Sequence, residues 1–514
     1  MKMVKSLILG SAAGLIAMSG AQAADLPVKA KAVEYVRICS LYGAGFFYIP
    51  GTDTCIKLGG YLRVETALAT NNMFGGAYNG VAGAQNRYRN YYTARSREDL
   101  TVDTRTATEY GVVRTFFDAT FSWTTGTTAP AGAALGTAYS GDAIAGGTLG
   151  MYHAFIQFAG FTMGKTISQF SAPWVNYPAN NFDGLVGGSG DVTATNQLTY
   201  TAQFGNGVSA ALSAQDQVQY FQAGITNTSF PGVSAANPLA AVIGAQFGAT
   251  PYGTNNTGGA VAPDLIATLA VDQAWGFAKL SLAGHDNHAS YYTANNETSG
   301  HPSDKWGWAV QGALSIKNIP TGPGDVINIS AVYTDGASRY NFQDLVPTTF
   351  AMFGGSAVGY QSLGFAQVSD AVFTGTSTAN GTGQSLVKTW GFRGGYTHNW
   401  DPYWTTAIFG AYAAVQYDGV AKAAICTNIA AVSVAGTGFT CNPDFNIAQI
   451  GTKVGWTPVK NLTFSGEAVY SMLDQKHSGA VTIPAVLGLA KPAAVYELRD
   501  QSSWTFLARA QRNF

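Results

Sequence analysis

The sequence predicts an all-β fold: a transmembrane antiparallel β-barrel of sixteen strands with short periplasmic turns, long external loops and the third loop folded into the lumen. Three observations lead there. Apolar and polar residues alternate with a period of two over stretches of about ten to fourteen residues, the pattern of strands whose two faces meet different media. The connections alternate between short turns and long loops, which a soluble sandwich has no reason to do and a membrane barrel does. Aromatic residues gather at the strand ends, where a bilayer places its interfacial girdles.

Composition narrows the alternatives before any element is placed. Charged residues make up 11% of the 514, against roughly 25% in a soluble domain, and aromatic residues 12%. Mean hydropathy is +0.06, and a long unbroken apolar run occurs only in the first twenty residues, which excludes a helical membrane protein. A formal net charge of −1 and the lack of a Lys/Arg block exclude a nucleic-acid partner. An apolar fraction of 46% excludes disorder.

Residues 1–23 read as a signal peptide. Lys2 and Lys5 form the positive start, Leu7 to Met18 the apolar core, and Ala21-Gln22-Ala23 the small-x-small cleavage site. A first transmembrane helix would need about twenty apolar residues, and Asp25 and Lys29 follow too soon. Residues 24–55 form a segment preceding the barrel, and 56–514 the barrel itself. Four cysteines fall in two local pairs, Cys39 with Cys55 and Cys426 with Cys441, which an oxidising compartment lets close as disulfides; proximity favours this connectivity among the three possible. A tetrathiolate zinc site needs C-x2-4-C spacings that the chain lacks.

The period-two template places strands at 56–68, 97–108, 111–124, 148–159, 161–170, 192–204, 207–219, 264–275, 277–291, 305–318, 324–336, 387–399, 403–417, 445–458, 461–475 and 503–514. In the first, Ile56, Leu58, Leu62 and Val64 stand opposite Lys57, Tyr61, Arg63 and Glu65. In the fifteenth, Leu462, Phe464, Ala468 and Tyr470 stand opposite Thr463, Ser465 and Glu467. Gly205-Asn206, Gly276, Asn318 to Gly324, Trp400-Asp401-Pro402 and Lys460-Asn461 supply turn chemistry, in turns expected to hold about five residues or fewer. The largest loops lie near 220–263 and 337–386. Trp123, Phe158, Trp275, Trp306, Trp400, Trp456, Trp504 and Phe514 fit the girdles; the competing reading is core packing between two soluble sheets.

Strands of this length, tilted by about 40°, span roughly 28 to 33 Å, enough for the hydrocarbon layer. Sixteen of them enclose a backbone cylinder about 32 Å across, too wide for side chains to fill. A water-filled lumen follows unless a segment folds inward. The candidate segment is 171–191, with Pro173, Pro178 and the acid Asp183. Phasing turns Lys57, Arg63, Arg97, Arg105, Arg114, Arg393, Lys453 and Arg509 toward the water. Closure brings the first strands beside the last, so these cations form an arc, mixed with Glu65, Asp99, Asp103, Asp118 and Glu467. By position within their strands, Arg63, Arg105, Arg114, Arg393, Lys453 and Arg509 are expected closest to mid-height, where opposed charges would bias ion flow.

Residues 24–30 (ADLPVKA) and 35–61 (YVRICSLYGAGFFYIPGTDTCIKLGGY) closely resemble the outer-membrane porins of alphaproteobacteria. The resemblance implies a homotrimer of sixteen-stranded channels in the bacterial outer membrane, in contact with its lipid, passing small hydrophilic solutes and ions without energy input. It implies that loop 171–191 bends into the lumen opposite basic wall residues. It also implies that the terminal Phe514 is read by the barrel-assembly machinery. The chain is longer than that family leads one to expect, and the excess lies near 220–263 and 337–386.

Nothing in the sequence calls for an enzyme, a cofactor or a metal. The chain has no G-x-x-x-x-G-K-[ST], H-E-x-x-H or G-x-S-x-G, and His153, His285, His288, His301, His398 and His477 show no ligand spacing. A barrel phospholipase using His153 as base would not need sixteen strands. Two alternatives to a general channel stay open: a substrate-selective channel for sugars or anions, using Tyr61, Tyr177 and the arginines, and a structural or adhesive barrel that exploits the long loops. An energised transporter would need a plug far larger than 24–55.

Overall fold

Within a bilayer every backbone donor and acceptor must find a partner in the protein, and a sheet achieves this only by closing on itself. In the computed structural model the sheet closes. Sixteen antiparallel strands pair in chain order: β1 (Cys55–Leu68), β2 (Tyr92–Thr108), β3 (Gly111–Thr124), β4 (Thr148–Phe158), β5 (Phe161–Thr166), β6 (Thr195–Gly205), β7 (Val208–Gln215) and β8 (Asp264–Gln273) form the first half. The second half is β9 (Gly276–Asn287), β10 (Lys305–Lys317), β11 (Val326–Asp335), β12 (Lys388–Asn399), β13 (Trp404–Gln416), β14 (Phe445–Val459), β15 (Leu462–Gln475) and β16 (Gln501–Asn513). β16 pairs back onto β1, from Asn513 opposite Tyr61 to Phe506 opposite Leu68.

The structure describes residues 37–514 except 71, 72, 74, 126–146, 175, 176, 191–193, 218, 219, 221, 222, 230–251, 294, 295 and 358–360. The expected signal peptide, 1–23, and residues 24–36 of the segment after it lie outside the described residues.

The outward positions carry the apolar side chains that the alternation assigned to lipid: Leu58, Leu62, Val64, Leu212, Ile408 and Ile450 are all exposed on the outer wall. Trp123, Trp275, Trp306, Trp400, Trp456 and Trp504 are exposed near strand ends. At the periplasmic end the reversals are short. Asn206 (φ 50°) and Gly207 (φ 76°) make the left-handed pair of a tight hairpin turn, and a Cβ on Gly207 would lie 1.8 Å from the Asp272 carbonyl oxygen, so only glycine fits there. One reversal departs from the expected length: 318–325 is longer, because Asp325 folds back to accept hydrogen bonds from Thr321 (2.6 Å), Tyr396 (2.9 Å) and the Asn399 amide (2.9 Å) before β11 begins.

Four strand ends differ from the alternation by four residues or more, among them the end of β9, at Asn287 rather than 291. β2 begins at Tyr92 rather than 97, since Thr93 and Arg95 continue its inward face. β5 stops at Thr166 rather than 170, because Ser168 turns inward to donate to Gln215 at 2.8 Å and Phe170 is fully buried. β7 stops at Gln215 rather than 219.

Both expected disulfides form. Cys39–Cys55 ties a short hairpin, in which Phe47–Tyr48 pairs with the start of β1, to the periplasmic mouth; Cys39, Phe46 and Cys55 are buried together. Cys426–Cys441 closes the loop that carries helix Gly419–Val432. That helix is alanine-rich, is capped by Asp418 accepting from the Ala421 amide at 2.8 Å, and buries Ala421, Ile425 and Ile429 along one stripe.

Eight external loops join the strands: L1 (69–91), L2 (125–147), L3 (167–194), L4 (216–263), L5 (288–304), L6 (336–387), L7 (417–444) and L8 (476–500). Several build sheets of their own above and within the barrel. The L6 hairpin Thr349–Gly354 and Gln361–Gln367 pairs in parallel with Ala494–Leu498 of L8, which continues through Ala480–Ile483 to Val434–Ala435 of L7. A second small sheet joins Ile225–Asn227 and Thr254–Asn255 of L4 to Ala371–Phe373 and Ser385–Leu386 of L6. The largest apolar core of the described residues lies here. Phe350, Met352, Phe353, Leu363 and Phe365 of L6 pack with Ala413, Val415, Phe445, Ile447 and Leu473 of the inner wall. Each large side chain so buried contributes about 1.5–3 kcal/mol, enough to hold a long loop inward against its entropy.

Candidate channel lining

On the wall made by β1, β2 and β3 the inward positions are charged, and strand pairing sets them in rows. Arg63 stands directly opposite Arg97, which stands opposite Ser122. Arg63 donates to Gln511 at 2.8 Å and lies over the Tyr61 ring, 4.4 Å from its centre. Arg97 donates to Ser122 at 2.9 Å and lies 5.5 Å from the centre of the Tyr152 ring. Among the described residues neither is in ion-pair contact with a carboxylate. Like charges set opposite each other on a sheet are unfavourable, so polar side chains and ring faces hold this pair in place, and the nearby carboxylates of Asp99 and Asp183 offset part of its charge without ion-pair contact.

Nearer the periplasm the charges are compensated. Asp103 accepts from both Arg105 (3.2 and 2.9 Å) and Arg114 (3.1 and 3.0 Å), and Arg114 also donates to Gln157 at 3.0 Å. Arg114 lies over Phe116 and Phe155, and Arg105 over Phe46 of the disulfide-tied hairpin. That hairpin therefore reaches the inner face of the periplasmic mouth. Lys57, exposed, belongs to the same end, opposite Asp103 in register.

L3 turns into the barrel and runs along the inside of the opposite wall. Its contacts follow the strands in order: Lys279 of β9 donates to the Ser171 carbonyl (2.9 Å), Gln311 of β10 to Phe170 (2.9 Å), Asn328 of β11 to Pro178 (2.8 Å), and Arg393 of β12 to Ser189. On β14, Gln449 accepts from the Val186 amide (2.9 Å) and donates to the Gly184 carbonyl (3.1 Å). On β15, the Glu467 carboxylate accepts from the amides of Asn181 (2.5 Å) and Phe182 (2.9 Å). Close approach needs a residue without a side chain at Gly187, where φ is +84° and a Cβ would sit 2.2 Å from the Phe392 carbonyl oxygen.

At the end of this arc lies a buried charge cluster. Glu65 accepts from Arg95 (2.6 Å from Nε) and from Arg509 (2.7 Å), and Arg509 also donates to the Asn181 carbonyl of L3 at 3.0 Å. Asp183 of L3 is buried, accepts from Tyr177, and faces the charges of Arg97 and Arg509. L3 is thus pinned between carboxylates and guanidinium groups.

The expected arc of cations is therefore divided. Arg63 and Arg97 occupy mid-height on the charged wall. Lys453, opposite Glu467 in register, and Arg509 lie at a similar height where L3 passes. Three expectations need correction. Arg105 and Arg114 do not lie at mid-height; they flank the Glu109-Tyr110 turn, because β2 runs on to Thr108 and β3 starts at Gly111. Arg393 does not face the water, since L3 covers it completely. Arg95 is a functional-looking residue that the sequence reading missed by starting β2 at 97, although the period-two run Thr93, Arg95, Arg97, Asp99 carries the signal. Phe514 sits exposed beyond β16, with its amide donating to the Gly60 carbonyl at 3.1 Å.

Comparison with known proteins gives a consistent result. The sequence profile described as the Porin subfamily matches residues 25–507. Over 324 residues the chain is 31% identical to porin Omp2b of Brucella suis biovar 1 (strain 1330), covering 62% of this chain and 75% of that protein. Porin Omp2b of Brucella melitensis biotype 1 gives the same identity and coverage. Among solved structures, the outer membrane channel DcaP of Acinetobacter baumannii superimposes with a TM-score of 0.54 at 16% identity, covering 91% of this chain and 99% of that one, a likeness of fold.

Proposed function

This chain belongs to the porin subfamily and forms a channel of the bacterial outer membrane, and from that premise we propose how its lining works. Small hydrophilic solutes and ions pass by diffusion along the wall of β1 to β3. Arg63 and Arg97 form the narrow, positively charged stretch, with Asp183 of L3 as the facing acid. Arg105, Arg114, Asp103 and Lys57 shape the periplasmic exit, and Arg509, Lys453 and Arg393 serve mainly to seat L3. The observation that carries this reading is the direct pairing of Arg63 with Arg97, held by ring faces, the Gln511 amide and the Ser122 hydroxyl with no carboxylate in ion-pair contact among the described residues. Fixed charges set across a narrow stretch bias ion flow through it.

The reading extends to biogenesis and assembly. The signal peptide is removed after Ala23, residues 24–55 precede the barrel, Phe514 is the assembly signal, and three barrels associate. Family membership supports the trimer, and cross-linking in detergent tests it: a ladder ending at three copies is expected, and a monomer alone would refute it.

The test of the lining is the reversal potential of the refolded channel in asymmetric salt. Replacing Arg63→Gln or Arg97→Gln should move it toward cation preference, and Lys57→Gln should move it less, because exposed charge at the wide mouth is screened within about 8 Å at physiological salt. Equal shifts from all three would remove Arg63 and Arg97 from the constriction.

A further inference from the structure

An external loop that forms a hairpin in water keeps one face solvated and alternates accordingly. The L6 hairpin does not. In Thr349–Gly354 the four central residues are buried in succession, and in Gln361–Gln367 every residue after the first is buried, so both faces are covered. One face rests on the inner wall. The Phe350 ring lies 5.6 Å from that of Phe445 on β14, and Gln475 at the end of β15 donates to the Leu363 carbonyl at 2.9 Å while accepting from the Phe365 amide at 3.2 Å. The other face, which carries Phe353 and Phe365, is covered by L8, whose Tyr496 ring lies 5.6 Å from Phe353 and whose His477 ring stacks on Phe365 at 4.5 Å. L1 packs in on the Phe350 side, its Tyr78 ring 5.5 Å from Phe350 and its Tyr78 carbonyl accepting from the Ala351 amide at 2.7 Å. The descending arm of L6 reaches down to L3. The Asn341 carbonyl accepts from the amides of Gly187 (3.0 Å) and Gly188 (3.1 Å), and Gln343 donates to the Leu185 carbonyl.

We infer that L6 is a second inward-folded loop, stacked on L3, which closes the β12 to β15 side of the lumen from the outside and sets the largest solute that the channel admits from the cell exterior. This rests on the channel reading above and adds to the narrow stretch beside L3 a second limit at the outer entrance, set by L6. The apolar inner wall gives the physical reason. Water has no polar partners along Ala413, Ile447 and Leu473, so the passage runs on the charged wall and L6 decides how much of the mouth above it stays open.

The test compares wild type with two variants in planar bilayers and in liposomes swollen by neutral sugars and polyethylene glycols of graded size. In one variant 348–368 is replaced by three glycines; in the other Phe350→Gly and Phe365→Gly remove the two rings that seat the hairpin. Each is accepted when its barrel still resists SDS until heated. Conductance should rise about twofold with the excision, and larger polymers should pass. For wild type alone, polymers added from the extracellular side should be excluded at a smaller size than those added from the periplasmic side. Unchanged conductance and exclusion in a folded variant, or equal exclusion from both sides of wild type, overturns the inference. A wild-type barrel that conducts no ions at all would instead overturn the channel reading beneath it.

Discussion

The two walls of this barrel are built from strands that look alike from outside and differ inside, one lined mainly by charges and the other mainly by apolar residues, with Gln449, Lys453 and Glu467 interspersed where L3 is held. On β1, β2 and β3 the inward positions are Arg63, Glu65, Arg97, Asp99, Asp103, Arg105, Arg114 and Asp118. On β13, β14 and β15 they include Ala407, Phe409, Ala411, Ala413, Ile447, Val469 and Leu473, all buried. The outer faces, by contrast, are apolar on both sides. Lipid imposes one demand everywhere on the outside, whereas the interior meets either water or protein, and the polarity of the inner row records which. A barrel wide enough for water need not be wet all the way round. Here the apolar wall is the seat of L3 and L6, and the charged wall is what remains for solutes.

That contrast can be broken most severely by exchanging the chemistry of the walls. Ile447 is fully buried between Ala413 and Leu473 in register. Ile447→Arg should cost about 3–5 kcal/mol, the penalty of an uncompensated buried charge, and should expel L6, read as new protease cleavage within 349–367. Thr101→Arg, placed on the charged wall opposite Asp118, should change stability by less than about 1 kcal/mol. If both substitutions are tolerated equally, the inner walls do not differ in the way described.

A smaller effect is expected at the tether of L3. Glu467→Ala leaves the Asn181 and Phe182 amides without their acceptor, about 1–3 kcal/mol for each buried donor. Recorded currents should become noisier as L3 leaves the wall, and Glu467→Gln, which keeps one acceptor oxygen, should be intermediate. Steady currents in the alanine variant would show that other contacts suffice.

The smallest and most graded effect is one of pH in the cap. His477 of L8 is buried, stacked on Phe365 of L6 with ring centres 4.5 Å apart; its Nδ1 accepts from the Asn442 amide at 3.2 Å, and its Nε2 is 3.2 Å from the Tyr252 hydroxyl. Burial pushes its pKa down from 6.5 to about 3. The folded cap therefore favours the neutral ring. Its contribution is fully present above pH 6.5 and is lost as pH falls from 6.5 toward 3, because in that window the unfolded loop takes up a proton that the folded one refuses. Protease susceptibility of L6 and L8 should rise across that window in wild type. His477→Phe should flatten the dependence, and an unaltered profile in that variant would assign the pH response to other groups.

Much of this was legible in the chain. Each of the sixteen period-two segments became a strand, because only the strand repeat puts Leu62 and Val64 in lipid while Arg63 and Glu65 face inward. The disulfides followed from sequence proximity. The inward course of L3 was expected from its prolines, its acid and the porin resemblance. Less was visible of height and cover. Arg105 and Arg114 look like lumen cations at any height until the turn beside them is fixed, and Arg393 looks wet until L3 lies over it. The near-continuous apolar run from Ala407 to Val415 was the available sign that its inner face is covered, since a strand bathed in water on one side would alternate.

The sequence by itself determined the barrel, its strand number, its orientation and the face on which each side chain lies, because these depend on local periodicity and on the demand that lipid makes of every strand alike. Only the tertiary structure decided which part of the inner wall stays wet. That choice depends on where L3 and L6, far apart in the chain, come to rest, and packing between distant segments leaves no fixed period in the residues that make it.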